Sequence, residues 1–291
     1  MFGNSRKVFG FTLIELLVVI SLIALLLGLL IPALQIARQQ ATASACLSNQ
    51  HTLSLAWVMY ADENDGYLVG DNTWPYTDCE KIAWVKAPMY ENGDMIPGPP
   101  EDLTYEMKVR GIMHGLLWPY IEDIDAYHCP GDRRKIRKVG VHHTAFRSYA
   151  ITWQMNGHYG DNWWNNAPED WHIGEIVRKI TSIKQPGLKF VFLEDYDDRG
   201  WGMGCFVLDG SPDAWTWTSP MPTWHNNQST QGFADGHAEM HKWNRESMIY
   251  FNDPFEGGWD KANQPGNPDL AYAKKRILPT GKTILPDGSK R

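Results

Sequence analysis

The sequence lacks the features that would indicate catalysis or nucleic-acid binding. It contains only 4 cysteines in 291 residues, which excludes a disulfide-dense miniprotein. Its net charge of −7 argues against a general nucleic-acid binder, because phosphate contacts require clustered Lys and Arg side chains. Gly-x-Ser-x-Gly, His-Glu-x-x-His, Walker and dinucleotide signatures are all missing. We therefore do not expect an enzyme.

Charge is also missing from residues 16–31, which read LLVVISLIALLLGLLI. Between residues 11 and 34 the only ionisable side chain is Glu15, and roughly 20 apolar residues suffice to cross a bilayer. Arg6 and Lys7 precede this run, and the positive-inside rule keeps them in the cytoplasm. These features predict a single-pass inner-membrane protein whose larger, C-terminal part lies in the periplasm or outside the cell.

The small residue expected at a cleavage site lies before the apolar run rather than after it. A secretory signal peptide is cut after its apolar run, so cleavage at Gly10 would leave the span attached. The string GFTLIE at residues 10–15, followed by the apolar run, closely resembles the prepilin signal of type IV pilins and type II secretion pseudopilins. The resemblance implies that residues 1–10 are a leader, that a prepilin peptidase cuts after Gly10, and that Phe11 becomes the N-methylated terminus.

Glu15 is a carboxylic acid within this apolar run. A carboxylate in hydrocarbon costs at least ~2.5 kcal/mol, so it requires a partner or a proton. The resemblance to pilins implies that the partner is the new Phe11 amine of a neighbouring subunit, which makes Glu15 an assembly residue. A signal anchor with an acid near the membrane interface is the alternative.

The pattern of the remaining chain predicts an α+β, pilin-like fold. One helix is predicted from about residue 11 to residue 60, with residues 11–34 in the membrane or assembly and residues 35–60 on the globular domain. Pro32 allows an interruption as an alternative. Residues 61–253 form a globular domain with long loops and an antiparallel sheet, and residues 254–291 an irregular basic tail. The predicted strands are 147–155, 189–194, 204–208 and 230–243, the last folded about a two-residue turn at Asp235-Gly236.

Several later segments resemble a family of large prepilin-like proteins whose globular domain has no assigned activity. The segments are CLSNQ at 46–50, YADENDG at 60–66, YHCPGD at 127–132, and His225 separated by nine residues from Asp235-Gly236. The resemblance makes His225, Asp235 and Gly236 residues of a family motif.

In an oxidising compartment the four cysteines can form two disulfides. The sequence alone allows three ways of pairing them. Because Cys46 and Cys129 belong to the family segments, we favour Cys46 with Cys129, which leaves Cys79 with Cys205. Buried free thiols are the alternative. No Cys-x2-Cys spacing is present, so the sequence does not predict a zinc site.

Other candidate sites have ordinary structural alternatives. His237, Glu239 and His241 alternate along one strand face, as metal ligands would, but a solvated hairpin face is the favoured interpretation. His225 with Asp235 could act as a base and its orienting acid, but we favour a histidine that braces the hairpin.

Two acidic loops leave structural calcium open, although solvated turns are favoured and no other cofactor is expected. Their residues are Asp62, Asn64 and Asp65, and Asp195, Asp197 and Asp198.

The tryptophan-rich loops are consistent with a carbohydrate-binding surface, but core packing or contact between subunits is the favoured interpretation. Their residues are Trp153, Trp163, Trp164, Trp171, Trp201, Trp215, Trp217 and Trp224.

Basic residues are also concentrated at the end of the chain, where docking on an acidic neighbour is the alternative to a solvated tail. They are Lys274, Lys275, Arg276, Lys282, Lys290 and Arg291.

The sequence thus predicts a pilin or pseudopilin subunit that is processed by a prepilin peptidase and joins other pilin-like subunits in a filament. The alternative is an envelope protein that uses the prepilin route only as a membrane tether and binds carbohydrate or another extracellular ligand.

Overall fold

The computed structural model describes residues 12–71, 81–96, 103–132, 147–156, 176–196, 204–210, 215–252 and 262–280. The chain divides into two compact units, residues 1–41 and residues 42–291. Gly10 and Phe11 lie outside the described residues, as do Cys79, Asp197 and Asp198.

The described part of the first unit is entirely helical from Leu13 onward. Helix α1 covers Leu13–Glu63, close to the predicted residues 11–60, and Pro32 lies inside it without ending it. The interrupted helix that was the alternative is therefore not formed. The large apolar side chains from Leu13 to Ile36 are 45% to 78% exposed, and an 18-residue window within α1 has a mean hydropathy of 3.0. By length and composition, α1 is able to cross a membrane.

In the second unit, the C-terminal part of α1 has one buried face. Its buried residues recur every three or four positions, which is the spacing of a helix that packs on one side. They are Ala43, Cys46, Gln50, Leu53, Ser54, Ala56, Trp57 and Ala61. The helix ends at a glycine turn, where the Gly66 N–H donates to the Ala61 carbonyl at 2.8 Å and Gly66 has φ +77°. A positive φ is accessible to glycine at little cost.

A five-stranded, mostly antiparallel sheet lies at the centre of this unit. Its strands are β1 Tyr149–Thr152, β2 Phe190–Glu194, β3 Cys205–Phe206, β4 Gln228–Phe233 and β5 Ala238–Lys242. Their order is β3-β1-β2-β4-β5, and only the β1–β3 pair is parallel. This confirms the predicted α+β arrangement of a long helix on an antiparallel sheet.

Both faces of the sheet are covered, which explains why every residue of β2 is buried. The first core cluster contains residues of α1 such as Leu53 and Trp57 together with Ile151 of β1 and Phe192 of β2. On the other face, Phe190 and Phe233 pack against the segments after the sheet. The side chains of β2 do not alternate strictly between the two faces, since the neighbours Val191 and Phe192 both belong to the first core cluster. A register shift in the β2–β4 pairing lies between Phe190 and Phe192.

Four further helices complete the described fold. They are α2 Tyr105–Met113, α3 Trp118–Ile121, α4 Arg245–Phe251 and α5 Pro268–Ile277. Helix α2 forms where the sequence predicted only loops, because Thr104 caps it by accepting from the Met107 N–H.

Helix α5 corrects the prediction of an irregular tail over residues 254–291. Asn267 caps the helix and Pro268 occupies its first turn, while Leu270, Ala273 and Ile277 are buried in the second core cluster. Lys274 lies over the Trp215 ring and Arg276 over the Tyr272 ring. These basic side chains therefore pack on the domain, whereas Lys282, Lys290 and Arg291 lie outside the described residues. Docking of the tail on an acidic neighbour stays a prediction.

The β4–β5 hairpin also differs from its prediction in one detail. Four residues, 234–237, separate the two strands, rather than the predicted two. Gly236 has φ +93°, and a Cβ at this position would approach Leu55 of α1 to 2.8 Å. The positive φ favours glycine at this turn, whereas the Leu55 side chain is flexible and exposed enough to move aside.

Asp269 joins the end of the sheet to two helices. Its Oδ2 accepts from the Asn244 N–H at 2.7 Å and from the Ser247 hydroxyl at 2.9 Å, and its Oδ1 lies 3.3 Å from His241 Nε2. Burial raises the pKa of Asp269, but the hydrogen bonds from His241, Asn244 and Ser247 outweigh burial and lower this pKa overall.

We expect Asp269→Asn to lower the free energy of unfolding by about 2 kcal/mol at neutral pH, because it removes charge-assisted hydrogen bonds. The wild-type advantage should be fully present above the unfolded-state pKa of aspartate. It should disappear as the pH falls through the lowered folded-state pKa. Urea unfolding of the detergent-solubilised chain as a function of pH checks this, with the exposed Asp62→Asn as control. A difference between wild type and Asp269→Asn that stays constant down to acid pH would contradict it.

Gly232 on β4 allows α1 to approach the sheet closely. A Cβ at this position would overlap Ser54 Oγ and lie 3.0 Å from Gln50 Oε1. We expect Gly232→Ala to lower the free energy of unfolding by about 1–3 kcal/mol through overpacking. Ser54→Ala in the same chain should restore part of that loss, since it removes the overlapped hydroxyl. Denaturant unfolding of the two single variants and the double variant measures this coupling, and purely additive effects would contradict the contact.

Candidate functional site

The N-terminal candidate site is organised around Glu15 in the first turn of α1. Its Oε2 accepts hydrogen bonds from the Thr12 N–H and the Thr12 hydroxyl, both at 2.8 Å, and its own N–H donates to Thr12 Oγ1 at 3.3 Å. This reciprocal pair is a capping box, which satisfies N–H groups that the helix leaves free. Glu15 lies four residues after Phe11 in the sequence.

A second candidate site lies inside the globular unit, where three of the family-like segments meet. Cys46 on α1 and Cys129, which follows the 3₁₀ turn Ile124–Tyr127, form a disulfide with Cα atoms 5.2 Å apart. His225 Nε2 lies 3.2 Å from Cys129 Sγ and 3.3 Å from Glu194 Oε1. Cys46, Cys129, Glu194 and His225 are all buried, and their ligand-type atoms lie within 4.8 Å of one another. We call these four residues the buried cluster.

Hydrogen bonds from neighbouring segments hold the buried cluster in place. Thr230 Oγ1 on β4 donates to Glu194 Oε1 at 2.6 Å, and the Cys129 N–H donates to Ser148 Oγ at 2.9 Å. Asn49 Nδ2 on α1 donates to the carbonyl of Asp125 at 3.1 Å and to that of His128 at 3.0 Å. The segment that carries Cys129 is therefore fastened to α1 by amide hydrogen bonds as well as by the disulfide.

The surroundings of Gly131 explain why the YHCPGD segment has a glycine at this position. A Cβ at residue 131 would lie 2.8 Å from His225 Cε1, so no side chain fits between this loop and the imidazole. The Gly131 N–H also points to Cys129 Sγ at 3.3 Å. The loop and the histidine thus pack directly on each other.

The low-dielectric surroundings shift the ionisation of the acidic groups here. Burial raises the pKa of Glu194, and the hydrogen bonds from His225 and Thr230 only partly oppose this shift. Burial also raises the pKa of Tyr127 and Tyr149, with the Glu194 carboxylate adding to the shift at Tyr149. Burial favours the neutral forms of all three groups.

The predicted site residues of the β4–β5 hairpin do not join the buried cluster. Asp235 contacts His237 through its Oδ1 rather than contacting His225, so the base and orienting acid that were the alternative interpretation are not paired. His237 Nε2 lies 3.5 Å from Glu239 Oε1, whereas His241 contacts Asp269. His237, Glu239 and His241 therefore do not converge on one metal position.

The acidic and tryptophan-rich segments contribute little to a described site. The Asn64 side-chain amide donates a hydrogen bond to the Tyr60 carbonyl at 2.7 Å, and the Asp195 N–H donates to the Ser148 carbonyl. Structural calcium at these loops stays a prediction. Trp153 and Trp217 are buried core residues, while Trp215 and Trp224 pack beside the two core clusters. The other tryptophans proposed for a carbohydrate surface lie outside the described residues, as does the predicted disulfide partner of Cys205.

Glu194 is the member of the buried cluster that sequence reasoning missed. It ends the strand sequence FVFLE, where four apolar residues precede an acid. An acid at the end of a buried strand was the available signal, because a buried carboxylate requires a partner.

Comparison with known families identifies only the N-terminal segment. Residues 5–31 match the model of the prokaryotic N-terminal methylation motif. No curated protein and no solved structure matches the chain. The chain therefore carries a prepilin-type N-terminal motif on an apolar, membrane-anchoring helix, which supports a pilin-like or pseudopilin-like protein.

Proposed function

We propose that this chain is a structural subunit of a type IV pilus or a type II secretion pseudopilus. The observation that carries the proposal is the methylation motif at residues 5–31, which leads into a helix whose large apolar side chains are exposed from residue 13 to residue 36. A prepilin peptidase would cut between Gly10 and Phe11 and methylate the Phe11 amine. The globular domain would then lie on the periplasmic side of the inner membrane or on the filament surface.

The exposed apolar side chains of α1 can be covered either by lipid or by neighbouring helices. Burying such side chains yields about 25 cal/mol per Å² of apolar surface, whether lipid or neighbouring helices cover them. A bundle of identical helices provides a second apolar environment, so a subunit can leave the bilayer without exposing this surface to water.

Glu15 gives that bundle its register. In the described chain its carboxylate is satisfied only by Thr12, one turn earlier on the same helix. Cleavage after Gly10 creates a cationic amine at Phe11, and a neighbour staggered along the bundle can bring its own amine to the Glu15 carboxylate. Pairing in a low-dielectric environment favours the assembled subunit over the isolated one.

A structural role also agrees with the globular domain. The four residues of the buried cluster have ionisable or nucleophilic groups, but their burial leaves no access for a substrate.

A membrane-tethered carbohydrate-binding protein is the other candidate. The described tryptophans give it no support, because Trp153 and Trp217 are core residues.

Processing is tested by the intact mass of the chain extracted from its native membrane. We expect a polypeptide that begins at Phe11 and carries one additional methyl group. Gly10→Lys should retain residues 1–10, because the peptidase requires a small residue at the cut. Recovery of the wild-type chain with its initiator methionine would contradict the processing step.

Assembly is tested separately with Glu15→Ala. We expect processing at Gly10 to continue, whereas cross-linked oligomers and sheared filaments should fall at least about tenfold, because the carboxylate–amine pair is lost. Ser21→Ala is the matched control, since its hydroxyl donates only to the Leu17 carbonyl of the same helix. Unchanged filament yield from Glu15→Ala would exclude Glu15 as an assembly residue. Native envelopes without filaments of this chain would favour the alternative of a membrane-tethered envelope protein.

A further inference from the structure

The buried cluster brings together the kinds of side chain that bind zinc. Cys46 lies on α1, Cys129 on the loop before β1, Glu194 at the end of β2, and His225 on the loop before β4. They are far apart in the sequence, with a separation of 83 positions between the two cysteines alone. Two sulfurs, an imidazole nitrogen and a carboxylate oxygen, all within 4.8 Å of one another, match a four-ligand donor set.

Hydrogen bonding within the described residues leaves this cluster incompletely satisfied. His225 Nε2 is a single ring nitrogen, yet it faces both Cys129 Sγ at 3.2 Å and Glu194 Oε1 at 3.3 Å. Glu194 Oε2 and His225 Nδ1 have no hydrogen-bond partner among the described residues, although both side chains are at most 1% exposed. Buried polar groups are normally satisfied, so Glu194 Oε2 indicates a missing interaction, whereas His225 Nδ1 faces away from an ion that binds Nε2 and does not bear on the site.

The spacing of the ligand atoms fits a tetrahedral ion. Zinc bonds of about 2.0–2.3 Å at tetrahedral angles place neighbouring ligand atoms roughly 3.4–3.8 Å apart. The Sγ–Nε2 and Nε2–Oε1 separations of 3.2 and 3.3 Å are close to these edges, whereas the two sulfurs are bonded to each other and must move apart after reduction to reach theirs. Calcium and magnesium prefer all-oxygen sites, whereas thiolate with imidazole selects zinc and similar soft or borderline ions.

We propose that Cys46, Cys129, His225 and Glu194 form a Zn²⁺ site when the two cysteines are thiols, and that the disulfide is the oxidised state of the same site. The disulfide bonds the two sulfurs to each other, so the metal-binding state is the dithiol. Reduction by an external dithiol or phosphine transfers two electrons and two protons to the disulfide, and the reductant is oxidised in turn. Zinc then binds the two thiolates and releases two protons.

Both states would fasten the same elements together. The disulfide links α1 to the Cys129 loop, and zinc would add β2 and the His225 loop to that link. The role of His225 in its motif is then to supply a nitrogen ligand, and Gly131 leaves space for the imidazole.

The test uses the full chain, purified in detergent without oxygen. One half is reduced with a phosphine, the other half is kept as the disulfide, and both are titrated with Co²⁺ and then with Zn²⁺. We expect one metal per reduced chain, a thiolate-to-cobalt charge-transfer band, and loss of that band when Zn²⁺ displaces Co²⁺. The disulfide form should bind less than a tenth as much metal. Absence of the band from the reduced chain would overturn the proposal.

Variants and X-ray absorption identify the ligands. His225→Ala and Glu194→Gln should each weaken Zn²⁺ binding at least about tenfold, whereas the exposed pair His237→Ala and Glu239→Gln should leave it unchanged. X-ray absorption of the zinc-loaded wild type should show two sulfur and two nitrogen or oxygen ligands. This measurement decides the ligand set even if a variant fails to fold, and a site with four light ligands or with no sulfur would overturn the proposal.

Discussion

A single helix with two different surfaces is the constraint on which the rest of the structure depends. Its large apolar side chains from residue 13 to residue 36 are exposed, whereas from Cys46 to Ala61 one face is buried in the core. Water is a poor solvent for the first surface, so it requires lipid or other helices of the same kind. The second surface is fixed by the sheet, which requires glycine at residue 232 for the helix to approach. Membrane anchoring and domain folding therefore use different turns of the same helix.

The globular domain is fastened to that helix at one place in particular. The Cys46–Cys129 disulfide, the Asn49 amide and the Gln50 amide all join α1 to other elements within about one helical turn. The segments that look like family landmarks, 46–50, 127–132 and the motif histidine, converge here rather than at a surface cleft. This convergence brings the motif histidine against the buried Glu194 carboxylate and the Cys46–Cys129 disulfide.

Local patterns in the sequence were sufficient for the helix and most strands. Apolar length predicted α1, and the sequence FVFLE predicted β2, because these signals lie within one element. Helix α5 was missed because its charges at 274–276 resemble a solvated tail, although cations in a last helical turn are favourable. Glu194 was also missed, since its partnership with His225 depends on strand order, which no local spacing encodes.

Hydrogen–deuterium exchange of the processed chain in lipid nanodiscs most directly tests the division of α1 into two surfaces. Residues 13–36 should exchange slowly in the nanodisc and become faster when the chain is moved to a solution of short, weakly bound detergent. Residues 46–61 should keep the same protection in both, because the sheet rather than the lipid covers them. Equal protection of both segments in both media, or loss of protection at residues 46–61 on leaving the bilayer, would contradict this division.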